Sequence, residues 1–149
     1  MQDSAKRFVS ELHTFDLKTR GFTKNGHTFA RKRDRYTERV QVQGSSWNSS
    51  SDPKWRFYLN AGVYFEGLPE PKANRALPGT HVYGRLSSFS PGCVDGFDLT
   101  NENADLVRAE VVSNIERALT AIAARLSRIR EAAEAGRMLW HDSAGVGHE

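Results

Sequence analysis

A single cysteine, Cys93, stands in the 149 residues, so neither an intramolecular disulfide nor a multi-cysteine zinc site can form. Long apolar runs are also missing, and no stretch could span a bilayer as a helix. Residues 1–20 carry Asp3, Glu11 and Asp16 and no continuous apolar segment, so no signal peptide is expected and a cytoplasmic location follows by default. The histidines His13, His27, His81, His141 and His148 show no i, i+4 ligand spacing, so no metal is implied. Gly44-Ser45-Ser46 lacks the lysine and following helix of a phosphate loop. Cys93 lies in a Pro-Gly loop without flanking positive charge to activate a thiolate, and the expected strands carry no paired carboxylates. No catalytic residue and no cofactor is expected.

What remains is a globular composition, 38% hydrophobic and 26% charged. A chain this long buries ~70% of its unfolded surface and needs no cross-link to hold a core. The reading is a single α+β domain over 1–137 with a tail over 138–149, in which Met138, Leu139 and Trp140 dock back. The net charge of +3 is uneven: residues 1–80 hold 14 Lys/Arg against 8 Asp/Glu, and residues 81–149 hold 7 against 10. A basic front half could attract an acidic partner, though a solvated surface explains the imbalance equally well.

Ala5, Phe8, Val9, Leu12 and Phe15 recur at helical spacing after the capping residues Asp3 and Ser4, which predicts a helix over about 4–20 closed by Gly21. The period then changes. Strands are expected over 28–33, 37–47, 55–65 and 81–87, with a turn at 34–36. From Trp55 to Phe65 the alternation is strict: apolar residues take the odd positions, and Arg56, Tyr58, Asn60, Gly62 and Tyr64 the even ones. Such a strand is half-buried and belongs to an antiparallel sheet. Loops are expected over 66–80, where Pro69, Pro71 and Pro78 forbid regular structure, and over 88–99.

No proline follows Pro91, and Val107, Val111, Ile115, Leu119, Ile122, Leu126 and Ile129 mark a helix over about 103–136. Such a helix would be ~50 Å long against ~35 Å for the longest strand, so it either breaks or overhangs the sheet. An overhanging stripe of Ile122, Leu126 and Ile129 would need cover, and a homodimer through it is the economical expectation; loops folding over it are the alternative. The fold expected is α+β: an antiparallel sheet of about four strands, with an N-terminal helix and a long C-terminal helix packed on one face.

Gly21-Phe22, Gly26, Thr28-Phe29, Gln43, Trp47-Asn48, Phe57, Asn60, Gly62-Val63-Tyr64, His81 and Arg85-Leu86, in this order of elements, resemble a bacterial domain of unknown function, family 4304. The similarity runs from the first helix to about Arg85 and more loosely through the last helix. It implies a bacterial source and a small α+β domain, and it transfers no catalytic residue. Family members often carry a proline in the C-terminal helical region, which this chain lacks.

If both helices cover the Trp55/Phe57/Leu59 side, the other side presents Gln41, Gln43, Arg56, Tyr58, Asn60, Tyr64, His81, Tyr83 and Arg85, with Trp47 and Asn48 in the adjoining loop. Aromatic and guanidinium planes on an open sheet can stack ligand rings, while Gln and Asn supply paired donors and acceptors. A solvated face whose tyrosines pack across strands is the plainer account. The basic run Arg31-Lys32-Arg33-Asp34-Arg35, with Arg39, could contact phosphates or simply guard a hairpin edge. The functional expectation is a non-catalytic module that binds a protein or small-molecule partner through this polar face, with no membrane contact. The alternative is a nucleic-acid binder using the basic strands. A third is a hydrolase or transferase of unknown type, favoured if His81, Arg85, Tyr64 and Asn48 converge on a deep pocket.

Overall fold

The protein is described by a computed structural model over residues 2–49, 51–71 and 77–140. Its first helix, α1 (Gln2–Glu11), begins before Asp3 and Ser4, so neither caps it. It continues as a π-helical turn over Leu12–Leu17 and a tight turn over Lys18–Arg20, closed by Gly21 at φ 94°. The π turn corrects the expected apolar stripe. Bonding from i to i+5 places Leu17 beneath Leu12, and both are fully buried. Phe15, which α-helical spacing would bury, is rotated outward to 59% exposure, with the Arg108 guanidinium 5.2 Å from its ring.

The sheet has six strands rather than about four: β1 (Thr23–Asn25), β2 (Thr28–Lys32), β3 (Tyr36–Gly44), β4 (Trp55–Phe65), β5 (Val82–Arg85) and β6 (Gly96–Leu99). All pairings are antiparallel, in the order β1-β2-β3-β4-β5, and β6 pairs with β4. One edge of β4 is shared end to end, with Asn60–Val63 against β5 and Trp55–Tyr58 against β6. Between the two registers the Leu59 N–H donates to the Asp95 carbonyl (3.0 Å), which closes the gap. The expected strand over 81–87 stops at Arg85 because Leu86–Phe89 turn into a short helix, α2.

The C-terminal helix breaks, as its length required of it if it was not to overhang. α3 (Ala104–Ala124) spans 21 residues, about 31 Å at 1.5 Å per residue and close to the length of β4. At Arg125 the backbone leaves helical geometry (φ −117°, ψ 23°), and a separate helix, α4 (Leu126–Glu134), follows. Ile122 and Ile129 are thereby fully buried and Leu126 half-buried within one copy of the chain. The stripe that would have needed a second copy is covered by the chain itself, which removes the physical reason for a dimer at that point.

One apolar cluster joins Phe8, Leu12, Ile115 and Ile129 to the odd-numbered residues of β4. The helices thus contribute their buried side chains to a single face of the sheet. Beyond α4 the chain returns to β5: the Tyr83 N–H donates to Met138 O (2.7 Å) and the Trp140 N–H to Tyr83 O (2.8 Å), and the Trp140 ring stacks on Phe89. The rest of the expected tail, 141–149, lies outside the described residues, as do 72–76 of the expected loop. No helix among the described residues is long and apolar enough to cross a membrane.

Candidate functional site

The strand registers place the outward side chains of the sheet in cross-strand rows. One row runs Asn25, Thr28, Gln41, Asn60, Arg85 across five strands, and the next runs Thr23, Ala30, Arg39, Gly62, Tyr83. Gln43 faces Tyr58, and Arg56 faces Asp98. Residues directly opposite on antiparallel strands are close enough to bond, and Asn60 does so with Gln41 and Arg85, and Arg56 with Asp98.

Asn60 is the hub. Its Nδ2 donates to Gln41 Oε1 and to Gln43 Oε1, each at 2.8 Å, while its Oδ1 accepts from an Arg85 terminal nitrogen at 2.8 Å. The same nitrogen donates to Gln43 Oε1 (3.1 Å), and the Arg85 guanidinium lies 4.5 Å from the centre of the Tyr58 ring. On the other side of Tyr58 the Arg56 guanidinium sits 5.4 Å from the ring and pairs with Asp98 at 3.2 Å. Hydrogen bonding to Tyr58, and then to Asp98, raises the pKa of Arg56, so its charge is permanent. Asn60 is only 4% exposed, and among the described residues its side-chain partners are Gln41, Gln43 and Arg85. It therefore scaffolds the surface, and contact with solvent falls to Gln43, Tyr58, Arg56 and Arg85. Six of the expected residues (Gln41, Gln43, Arg56, Tyr58, Asn60 and Arg85) form this one platform.

The other five are elsewhere. His81 is buried under the loop that follows β4: its Nδ1 accepts the Phe65 N–H (3.0 Å), which leaves Nε2 as the donor to Pro69 O (2.7 Å). Both nitrogens are committed to pinning that loop. Tyr64 stacks near His81 (5.0 Å) and donates to Glu70, whose carboxylate raises the tyrosine's pKa. Tyr83 lies in the Gly62 row, its backbone engaged by the C-terminal segment. Asn48 holds the β3–β4 loop, with its Nδ2 donating to Arg56 O (2.6 Å) and its Oδ1 accepting the Arg56 N–H (2.8 Å). Trp47 projects from that loop, 90% exposed. A groove of about 310 Å³ reaches His81, but its other walls are Leu68–Pro71, Ala133, Glu134, Gly136 and Met138. His81, Arg85, Tyr64 and Asn48 do not converge, and the pocket on which a hydrolase or transferase would depend is not formed by them.

The remaining candidates resolve into structural roles. Arg31 points to the core face and pairs with Glu38 at 2.7 Å, which takes it out of any basic surface. Cys93 is buried, donates to the Asn114 carbonyl, and has its thiol pKa pushed up by burial. A raised pKa leaves less thiolate at any given pH, so iodoacetamide at pH 8 should label native Cys93 about 100-fold more slowly than in the unfolded chain. Equal rates, read by mass spectrometry, would contradict this placement. Among the described residues no group of three or more His, Cys, Asp or Glu could hold a metal ion. Sequence reasoning grouped Arg39 with the basic run rather than with this face, and missed Asp98. Arg39 shares the parity of Gln41 and Gln43 on β3, and that parity was the signal available.

A family model described as a domain of unknown function (DUF4304) matches residues 14–125, most of the chain. No curated protein and no solved structure matches it.

Proposed function

The chain belongs to the DUF4304 family, and we propose that it is a non-catalytic binding module whose recognition surface is the Gln43–Tyr58–Arg56–Arg85 platform on the outer face of the sheet. One observation supports this above the rest. Asn60, itself buried, spends both of its polar atoms on orienting Gln41, Gln43 and Arg85, of which Gln43 is exposed and Arg85 half-exposed. A face that merely needed hydration would not require a buried hub; one that must present a guanidinium and an amide in fixed geometry gains by it, since ordering is then complete before the partner arrives. The fully exposed Trp47 beside the platform adds an aromatic of the kind that anchors interfaces. A cytoplasmic partner protein or small molecule is the expected occupant.

The test is affinity capture from the native host with the wild type and with Arg56→Ala combined with Tyr58→Ala. Capture of the specific partner should fall by at least about tenfold in the variant, a loss of ~1.4 kcal/mol or more in binding. If every partner stays bound, the platform is not the site. A parallel titration with random RNA and DNA at rising salt addresses the nucleic-acid alternative, which already has Arg31 tied to Glu38 and Arg56 to Asp98. Saturable binding that weakens steeply with salt would favour that alternative.

A further inference from the structure

The row next to the platform contains two small residues, Ala30 and Gly62, and they meet different fates. Over Gly62 the chain lays Leu77 and Thr80, both fully buried. Nothing comparable stands over Ala30 among the described residues. There a groove of about 620 Å³ opens on the outer face, walled by Thr23, Asn25 and Thr28 on one side and by Pro78 and Gly79 on the other. Arg39 lies across it.

Arg39 differs from the other arginines of this face. Arg56 has Asp98, and Arg85 has Asn60 and Gln43. The Arg39 Nε is buried and has no hydrogen-bond partner, and no described carboxylate pairs with its guanidinium. Gly79, at φ 79°, brings bare backbone against it: a Cβ there would stand 3.4 Å from Nε and 3.5 Å from the guanidinium carbon. A buried donor left unpaired is costly, and more so when it is charged, so a structure that retains one has a use for it or an occupant for it.

We propose that this groove binds a small molecule through one oxyanion group, a carboxylate or a phosphate, with Arg39 as the anchor. A guanidinium presents a planar fork of N–H donors that matches either group, and the orphaned Nε belongs to that fork. The Thr28 hydroxyl and the Asn25 amide, on the facing wall, supply neutral donors to the remaining oxygens. A lone cation suits one anionic group rather than a polyphosphate. This site does not rest on the platform reading, because its residues are different ones: Asn25 and Thr28 at the β1–β2 end of the sheet, Arg39, and the Pro78-Gly79 turn.

The experiment follows the Arg39 Nε–Hε resonance and the backbone amides of 23–30 in ¹H–¹⁵N spectra of the full chain. Sodium acetate and inorganic phosphate are titrated separately, with chloride at matched ionic strength as control. Saturable shifts confined to this groove, with a Kd on the order of millimolar for such minimal probes, are expected for at least one anion, and the two arms tell carboxylate from phosphate. Arg39→Gln should weaken that Kd by at least about tenfold. Arg39→Lys, which keeps the charge and loses the fork, should fall between, and Lys6→Ala, which removes an exposed cation of α1, should bind as the wild type does. Shifts that track ionic strength alone in the wild type overturn the proposal without recourse to any variant. An unchanged Kd in a folded Arg39→Gln overturns it as well. Equal loss of binding in Lys6→Ala would mean that the shifts read net charge rather than the groove, and overturns the proposal too.

Discussion

Gly62→Ala is expected to destabilise the protein by about 3 kcal/mol and to lower its thermal midpoint by about 6–12 °C, read by circular dichroism. The reason is what a single methyl group would meet. A Cβ at this position would lie 2.8 Å from the Val82 carbonyl oxygen, 2.8 Å from Thr80 Cγ2 and 3.0 Å from Leu77 Cδ2. The two side chains could yield, but the carbonyl belongs to β5, which is held in register by Gly62 against Tyr83 and Val63 against Val82. Moving it means unzipping an edge strand whose far side also carries the Met138–Trp140 segment. Truncating Leu77 in the same chain would therefore recover only part of the loss. A midpoint within about 2 °C of wild type would mean that β5 sits more loosely than described. The same substitution has a local consequence. By lifting Leu77 and Thr80 it would move Pro78 and Gly79 off Arg39, so a surviving fold should show altered anion titration at the neighbouring groove.

What could be read from the sequence followed from periodicity, and what could not was decided by packing between distant segments. β4 begins and ends where its alternation does, at Trp55 and Phe65, because one face is buried along its whole length. β1 could not be seen: three residues, all exposed, leave no apolar signal, and they form a strand only because β2 offers them a partner. β6 carries two inward residues, Phe97 and Leu99, in four, too few to separate a strand from the Pro-Gly loop before it. The break at Arg125 has neither proline nor glycine to announce it. The apolar spacing runs on through Leu126 and Ile129, and only the length of the sheet makes the helix stop. Phe15 was misplaced for a related reason, since nothing in the composition of 12–17 distinguishes a π turn from an α-helical one.

The platform was legible to the same degree. The parity of β3, β4 and β5 brought Gln41, Gln43, Arg56, Tyr58, Asn60 and Arg85 to one face. Parity alone could not say that Asn60 would be closed over by its own partners, nor that His81 would be spent on backbone atoms of Phe65 and Pro69. The first depends on side-chain bonds across three strands, and the second on where residues 66–71 lie, since a Pro-rich segment carries no periodic signal of its course. Leu77 shows this most clearly: a lone apolar residue in a loop became a fully buried plug above a glycine.

The inner face contains one charged pair, and it supports a second large effect. Glu38 is 1% exposed and sits among the apolar side chains of β3, with Arg31 as its partner across the strands at 2.7 Å. Arg31 is itself held from three sides: it donates to Glu38 and to the Arg20 carbonyl, and it stacks 4.7 Å from the Phe22 ring. Glu38→Leu should therefore cost about 3 kcal/mol in denaturant unfolding, because it strands a guanidinium whose charge is mostly enclosed. The double replacement Glu38→Leu with Arg31→Met should recover most of that loss. Methionine keeps the contact with Phe22 and removes the charge, and well-packed apolar substitutes for a buried pair are commonly neutral or stabilising. If the double variant is as unstable as the single one, the pair is holding β2 against the 18–22 turn through the Arg20 bond more than through its charge. If the single variant loses less than about 1 kcal/mol, Arg31 must be free to swing into solvent. In that event its place would be with Arg33 and Arg35 on the basic edge, and the nucleic-acid alternative would regain the cation that this pairing removes from it.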